Sequence, residues 1–319
     1  MLSFEKFSKP GIVQIILALL ALIGLLTLPL YASRYAIVLL GNIFMYVVIT
    51  VSWTIFSGPT RYISLASAAF FGIGVYTAAG LGMVLPLPAI IMIGALLSFC
   101  VAVFVGGLTL RLRGIYFAMF TLGLVELIVT FLRWWEVHYS GTVGRLVVSV
   151  DNTTVYYIML LILVLAILTA HLIARSKFGL ALQSIGECEE AATHIGINAT
   201  LLKVVTFAIS AFFMGATGVI MATRWTYVDP RIAFDLQLSF MPMVMAIIGG
   251  MNQLYGPILG AVFFTYLEEI LITRFPYYYM LIFGFILVVA IMYLPKGVGG
   301  LVQKLWAKRS GGKNAHTSS

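Results

Sequence analysis

Apolar runs of about 20 residues, separated by short polar breaks, recur from one end of the chain to the other. Reading runs against breaks gives about ten candidate membrane spans, at 11–32, 35–57, 64–84, 88–110, 115–133, 154–173, 203–223, 238–251, 254–272 and 277–294. Two are marginal. The third is rich in small residues, and the eighth is too short to cross about 30 Å of hydrocarbon at about 1.5 Å per residue. Either is a candidate for a re-entrant or broken helix, which requires protein or a water-filled cavity over its backbone. The first run, Ile12 to Leu30, follows Lys6 and Lys9 as a secretory leader would. Its length exceeds the about 7–15 apolar residues of such a leader, so a retained span is expected.

Apolar and polar positions do not alternate with period two, which argues against an outer-membrane barrel. The expected fold class is all-α, a polytopic transmembrane helical bundle of about 8–10 spans. Residues 1–303 read as one transmembrane domain containing a polar segment at 174–202, and 304–319 read as a basic, disordered tail. Composition agrees: 62% hydrophobic residues, 9% charged residues and a mean hydropathy of +1.08 lie far from soluble domains.

The net charge of +8 does not mark a nucleic-acid surface. Lys304, Lys308, Arg309 and Lys313 crowd the tail, and most other cations sit singly at the ends of apolar runs. With the N-terminus inside, 13 of the 19 Lys and Arg residues fall on inner flanks and six on outer ones. This count predicts that both termini and the 174–202 segment are cytoplasmic. Cys100 and Cys188 form no disulfide framework and no metal-ligand spacing.

The 174–202 segment carries Glu190, Ala191, Ala192 and Gly196 in a Glu-Ala-Ala-x-x-x-Gly pattern. It reads either as a solvated connector or as a short docking helix. On a helix Ala191 and Ile195 share a face, Ala192 adjoins it, and Gly196 permits a tight turn. Within the apolar runs, Ser64, Ala68 and Gly72, Ala246 and Gly250, and Gly256 and Gly260 form small-residue stripes suited to close helix packing.

Glu126 falls in the middle of the 115–133 run, where a carboxylate is costly. It is a candidate either for a translocation pathway or for structural pairing within the bundle. Thr121, Ser64 and Ser67 are candidates for lining a polar path, although such hydroxyls also satisfy their own helix backbone. The segment Arg224 to Arg231 mixes charges with aromatics, as an interfacial belt or a surface for an extracytoplasmic partner would. Gly312-Lys313 is followed by Asn, so there is no P-loop; no HExxH, Cys/His cluster or Gly-x-Ser-x-Gly elbow appears. No catalytic residue, cofactor or metal is therefore expected in this chain.

Several ordered blocks resemble the LivM-type permease of branched-chain amino acid ABC importers. They are Ser64-Leu65 with Ala68-Ala69-Phe70-Phe71-Gly72-Ile73-Gly74-Val75-Tyr76-Thr77, and Leu110 to Ala118 with Thr121-Leu122-Gly123 and Glu126. Ser176 to Ala181, the Glu-Ala-Ala block, Gly196-Ile197-Asn198 and Lys203 follow. Pro230, Ser239, Gly249-Gly250, Gly256 to Ala261 and Pro295-Lys296-Gly297 complete the series. The resemblance covers nearly the whole chain and implies a type II-like ABC importer permease in the bacterial inner membrane.

It further implies a second homologous permease subunit (LivH-like), cytoplasmic ATP-binding subunits (LivG- and LivF-like) and an extracytoplasmic substrate-binding protein. ATP would then be bound by the partners, and Glu190, Ala191, Ala192 and Gly196 carry over as residues that couple the permease to the ATPase. Where the family reads Gly-Tyr-Ala-Gly-Gln-x-Ser-Leu-Gly-His, this chain has Gly58-Pro59-Thr60-Arg61-Tyr62-Ile63-Ser64-Leu65-Ala66-Ser67. The outer motif is reduced to Gly141-Thr142-Val143-Gly144. Such departures fit a branch carrying another amino acid, urea or a related small polar solute. A stand-alone secondary transporter or channel is the alternative from another class, and would be expected to carry more intramembrane charge.

Overall fold

The computed structural model describes residues 12–112, 114–251 and 255–293. The basic tail at 304–319 and the domain boundary at 303 lie outside them. Each of the ten apolar runs coincides with one helix: α1 Ile12–Thr27, α2 Arg34–Thr60, α3 Ser67–Leu81, α4 Leu87–Thr109, α5 Ile115–Trp135, α6 Asn152–Arg175, α9 Ala199–Ala222, α11 Gln237–Gly249, α12 Tyr255–Arg274 and α13 Tyr279–Tyr293. The polar segment forms two more, α7 Lys177–Glu187 and α8 Glu189–His194, and α10 Pro230–Ala233 is a single turn. Local chemistry sets several boundaries. Ser33 caps α2 by accepting the Ala36 amide at 3.3 Å, and Asn198 caps α9 through the Leu201 amide at 3.1 Å. Pro59 and the left-handed Arg61 (φ 59°) end α2.

Among the described residues, seven helices are long and apolar enough to cross a membrane, consistent with an all-α polytopic permease architecture. Both marginal runs are interrupted, the eighth at 234–236 and the third at 61–66. The eighth is longer than its sequence suggests: α10 and α11 together make a candidate span, Pro230–Gly249, of 20 residues. Asp229 supplies the missing start by accepting the Arg231 and Ile232 amides at 2.7 and 2.9 Å. The third is a broken element. Residues 61–66 are neither helix nor strand, and only the following 15 residues form α3.

Successive long helices reverse direction, which gives the bundle two ends. At one, α7 and α8 lie against the end of α2; at the other, β1 Arg145–Leu146 pairs antiparallel with β2 Tyr227–Val228. The β1–β2 end is drawn together by Arg224, which donates to Asn42 Oδ1 at 2.6 Å, and by the Val150 amide on the Thr223 carbonyl at 3.2 Å.

Helix α9 is the axis of the bundle, buried over most of its length beyond the first turns between α2, α3, α4 and α6. It approaches its neighbours backbone to backbone. A Cβ at Gly218 would meet the Phe71 carbonyl, one at Gly74 the Gly215 carbonyl, and one at Gly215 the Ser98 side chain. Lipid tails supply no hydrophobic drive for helix association, so such contact must come from packing and hydrogen bonds. The predicted stripe Gly256/Gly260 performs the same role within the chain: Cβ atoms there would meet the carbonyls of Gly250 and Met245. Sequence reading passed over the Gly215 and Gly218 pair, which are three residues apart rather than four.

Helix α5 differs. It buries only the narrow stripe Phe117, Thr121, Val125 and Val129, while Met119, Leu127, Phe131 and Trp134 are exposed.

Candidate coupling site

The 174–202 segment is folded onto its own chain. Helix α7 begins at Ser176, whose hydroxyl accepts the Gly179 amide at 3.2 Å. It buries Gly179, Leu182 and Ile185 at i, i+3 and i+6. Gly179 and Gly186 abut the carbonyls of Ile173 and Pro59, so α7 is seated on the ends of α6 and α2. Leu182, Ile185, Ala192 and Ala199 form a small separate core, with Ile173, Phe178, Ile197 and Leu202 packed against it. Burying a side chain such as Leu182 contributes about 1.5–3 kcal/mol, enough to hold a short strap in place.

Helix α8 divides the four sequence-predicted coupling residues between two faces. Glu190, Ala191 and Gly196 are exposed, together with Thr193, His194 and Ile195 (76% exposed). Ala192 is 2% exposed and points into the small core. Ala191 and Ile195 thus share an outward face, and Ala192 supports it from below. The helix ends in a Schellman turn: the Ile197 amide bonds to the Ala192 carbonyl at 3.1 Å and the Gly196 amide to the Thr193 carbonyl at 3.0 Å. Gly196 has φ +89°, a conformation costly for any residue with a Cβ.

Beneath α8 lies a polar cluster absent from the sequence-predicted site. Lys203, one turn into α9, is 1% exposed. Its ammonium donates to Glu189 Oε1 at 2.7 Å, the Leu110 carbonyl at 3.0 Å and the Tyr62 hydroxyl at 3.2 Å. These acceptors match its three N–H groups, which is what offsets the desolvation of a buried cation. The Tyr62 hydroxyl donates to Glu189 Oε2 at 2.6 Å, and the ammonium stands 4.5 Å from the Tyr62 ring centroid. One signal was available in the sequence: a lysine at the start of the apolar run 203–223 requires a partner if the helix extends beyond it. Nothing in the sequence says which.

Tyr62 belongs to the irregular run 61–66, where side chains of two helices bond the backbone and a third helix bonds the start of α3. Trp53 Nε1 of α2 donates to the Ser64 carbonyl at 2.7 Å, Thr121 Oγ1 of α5 accepts the Leu65 amide at 3.0 Å, and Ser239 Oγ of α11 accepts the Ala68 amide at 3.3 Å just beyond the run. This is the protein cover that an irregular segment inside a bundle requires. The predicted pathway residues Ser64 and Thr121 are both buried, and the Ser64 hydroxyl accepts the Ala66 amide at 3.3 Å. Phe56, Phe117 and Phe207 pack beside them, with ring centroids 5.0–6.0 Å apart.

Glu126 lies apart from this cluster, on the exposed face of α5, in a shallow groove with Leu127, Thr130, Phe131 and Trp134. Within the chain, no described residue forms a hydrogen bond or ion pair with it. At the β1–β2 end, buried Glu136 accepts the Gly144 amide at 2.9 Å and stands 3.3 Å from Arg145 Nε. Tyr227 donates to the Val143 carbonyl at 2.5 Å, which pins the reduced outer motif to β2.

Comparison with known proteins supplies the family. The family described as branched-chain amino acid transport system, permease component, matches residues 35–291. Two curated relatives are the high-affinity branched-chain amino acid transport system permease proteins LivM of Salmonella typhimurium and Escherichia coli K12. Each is 26% identical, over 85% and 88% of this chain and 71% and 74% of the relative. The autoinducer 2 import system permease protein LsrC of Salmonella paratyphi B is 24% identical over 34% of this chain and 33% of its own length. No solved structure matches. With its ordered blocks, helical bundle and matched length, this chain belongs to the branched-chain amino acid transport system permease family and is of the LivM type.

Proposed function

We propose that this chain is the transmembrane permease subunit of an ATP-binding cassette importer for branched-chain or related amino acids, driven by separate ATPase subunits that bind the ATP. The observation that carries this is the division of α8: Glu190, Ala191, Ile195 and Gly196 are presented outward while Ala192 anchors the helix from below. Small side chains on an outward face allow another protein to approach closely, and a helix anchored by its own core can bear load. On this reading the α7–α8 end is cytoplasmic, and the termini share that side of a bacterial inner membrane. The β1–β2 end would meet an extracytoplasmic binding protein.

The exposed face of α5 is assigned to a second, homologous permease subunit. A carboxylate facing lipid at mid-span costs about 2.5–3.5 kcal/mol, whereas one facing a solute pathway between two subunits remains hydrated. Glu126 is therefore placed on that pathway. Thr121 and Ser64 support it indirectly: Thr121 holds the 61–66 run against α5, and Ser64 braces the run through the Ala66 amide and through Trp53 of α2.

The test is reconstitution of this permease with its ATPase and binding protein. Ala191→Trp should abolish ATPase association and ATP-driven uptake while the permease still inserts. Full association and uptake by Ala191→Trp would refute the docking assignment.

A further inference from the structure

Contacts between α8 and the bundle core include an apolar and a polar route. The first runs through Ala192 and the small core around Leu182. The second ends on different elements. Glu189 opens α8; one of its carboxylate oxygens holds Lys203 of α9 and the other holds the Tyr62 hydroxyl of the 61–66 run. Lys203 also bonds the Leu110 carbonyl at the end of α4, and the Tyr62 ring meets Phe117 of α5 edge-on at 5.7 Å. A single carboxylate thus joins the strap to α9 and to the 61–66 run, and through Lys203 and Tyr62 to the end of α4 and to α5.

Such a cluster is a poor choice for stability, because an apolar replacement of buried charge is often neutral or better. It is a good choice for geometry, since three donors must meet three acceptors at once. The 61–66 run is also suited to movement. It is neither helix nor strand, it leads directly into α3, and individual side chains hold its backbone: Trp53 on the Ser64 carbonyl and Thr121 on the Leu65 amide. Such bonds can be exchanged one at a time, whereas a helix moves as a unit.

We propose that Glu189, Tyr62 and Lys203 form the transmission contact that passes displacement of α8 to the 61–66 run and so to α3. They are positioning residues: none is required to touch solute or ATP. This inference rests on the reading of α8 as the ATPase docking element, and it adds the route by which docking would reach the transmembrane core.

The experiment has two arms. Hydrogen exchange on the full-length permease alone, in lipid nanodiscs, compares wild type with Glu189→Gln and Tyr62→Phe. Tyr62→Phe keeps the ring against Phe117 and Lys203, so it preserves packing while removing the hydroxyl. Both variants should speed exchange about fivefold or more in α8 and in the 61–70 amides together. Unchanged exchange at 61–70 would overturn the contact.

In the second arm, the assembled transporter carrying either variant should consume about fivefold or more ATP per solute imported, with ATPase binding intact. A wild-type ratio, or equal loss of hydrolysis and uptake in proportion to folded protein, would overturn the transmission role. A wild-type permease that binds no ATPase would overturn the docking reading and the role with it, and the exchange result would then describe the fold alone.

Discussion

The Thr121 hydroxyl accepts the Leu65 amide at 3.0 Å while donating to the Ala118 carbonyl at 2.9 Å, so one side chain of α5 holds the broken segment before α3. Thr121→Val keeps the shape and leaves the Leu65 amide unpaired in a buried site. It should lower stability by about 1–3 kcal/mol, whereas Thr121→Ser should stay near wild type. Thermal unfolding of the purified permease checks this, and equal melting of both variants would show the run to be held elsewhere.

Gly196 ends α8 at φ +89° with open space around its Cα, so the backbone alone determines what fits there. Gly196→Val should cost about 1–2 kcal/mol locally and speed amide exchange across 189–197, while Gly196→Asn, better tolerated in the left-handed region, should cost and speed less. Equal exchange in both variants would dismiss strain as the reason for glycine.

Glu126 separates transport from folding. Removing a carboxylate from an otherwise apolar face should leave stability unchanged or raised in Glu126→Leu. Uptake should fall about tenfold or more, the equivalent of one charge-assisted hydrogen bond. Normal uptake at normal expression would remove Glu126 from the pathway.

At the opposite end, Glu136→Ala orphans the Gly144 amide and the Arg145 guanidinium. The loss should be about 2 kcal/mol, felt locally as loosening of β1 against β2. Trypsin cleavage after Arg145 should accelerate in the variant, and an unchanged rate would show that Glu136 does not hold this loop.

Asp151 gives a pH dependence with a definite sign. It accepts the Thr153 amide at 3.0 Å as the cap of α6, and hydrogen bonding to Thr153 holds its carboxyl below the usual range. Because the folded value is depressed, the cap is fully effective above the unfolded value of about 3.9 and is lost as pH falls through the folded one. Amide exchange in the first turn of α6, taken relative to the intrinsic rate at each pH, should rise in acid for wild type and stay flat for Asp151→Asn. An acid-dependent rise in both would assign the effect to another group.

Much of the fold was legible along the chain because lipid thickness and helical rise together dictate how long an apolar run must be. All ten runs became helices, and the outward pairing of Ala191 with Ile195 followed from a spacing of four. The eighth run reaches spanning length only with α10, which lies across a break at 234–236 and is started by Asp229, a residue that adds no hydrophobicity. Ala192 could not be separated from Ala191 by residue type, since direction on a two-turn helix depends on what lies beneath it.

Sequence alone determined the class of molecule, the number of apolar segments and the one polar strap between them, because these depend on local composition and period. The tertiary structure decided which groups meet. Tyr62 and Lys203 are 141 positions apart and Tyr62 and Glu189 are 127 apart, yet their polar atoms lie within hydrogen-bonding distance. A buried ammonium announces that it needs acceptors. Only the packing of α2, α4, α8 and α9 around it determines which carboxylate, hydroxyl and carbonyl fill that need.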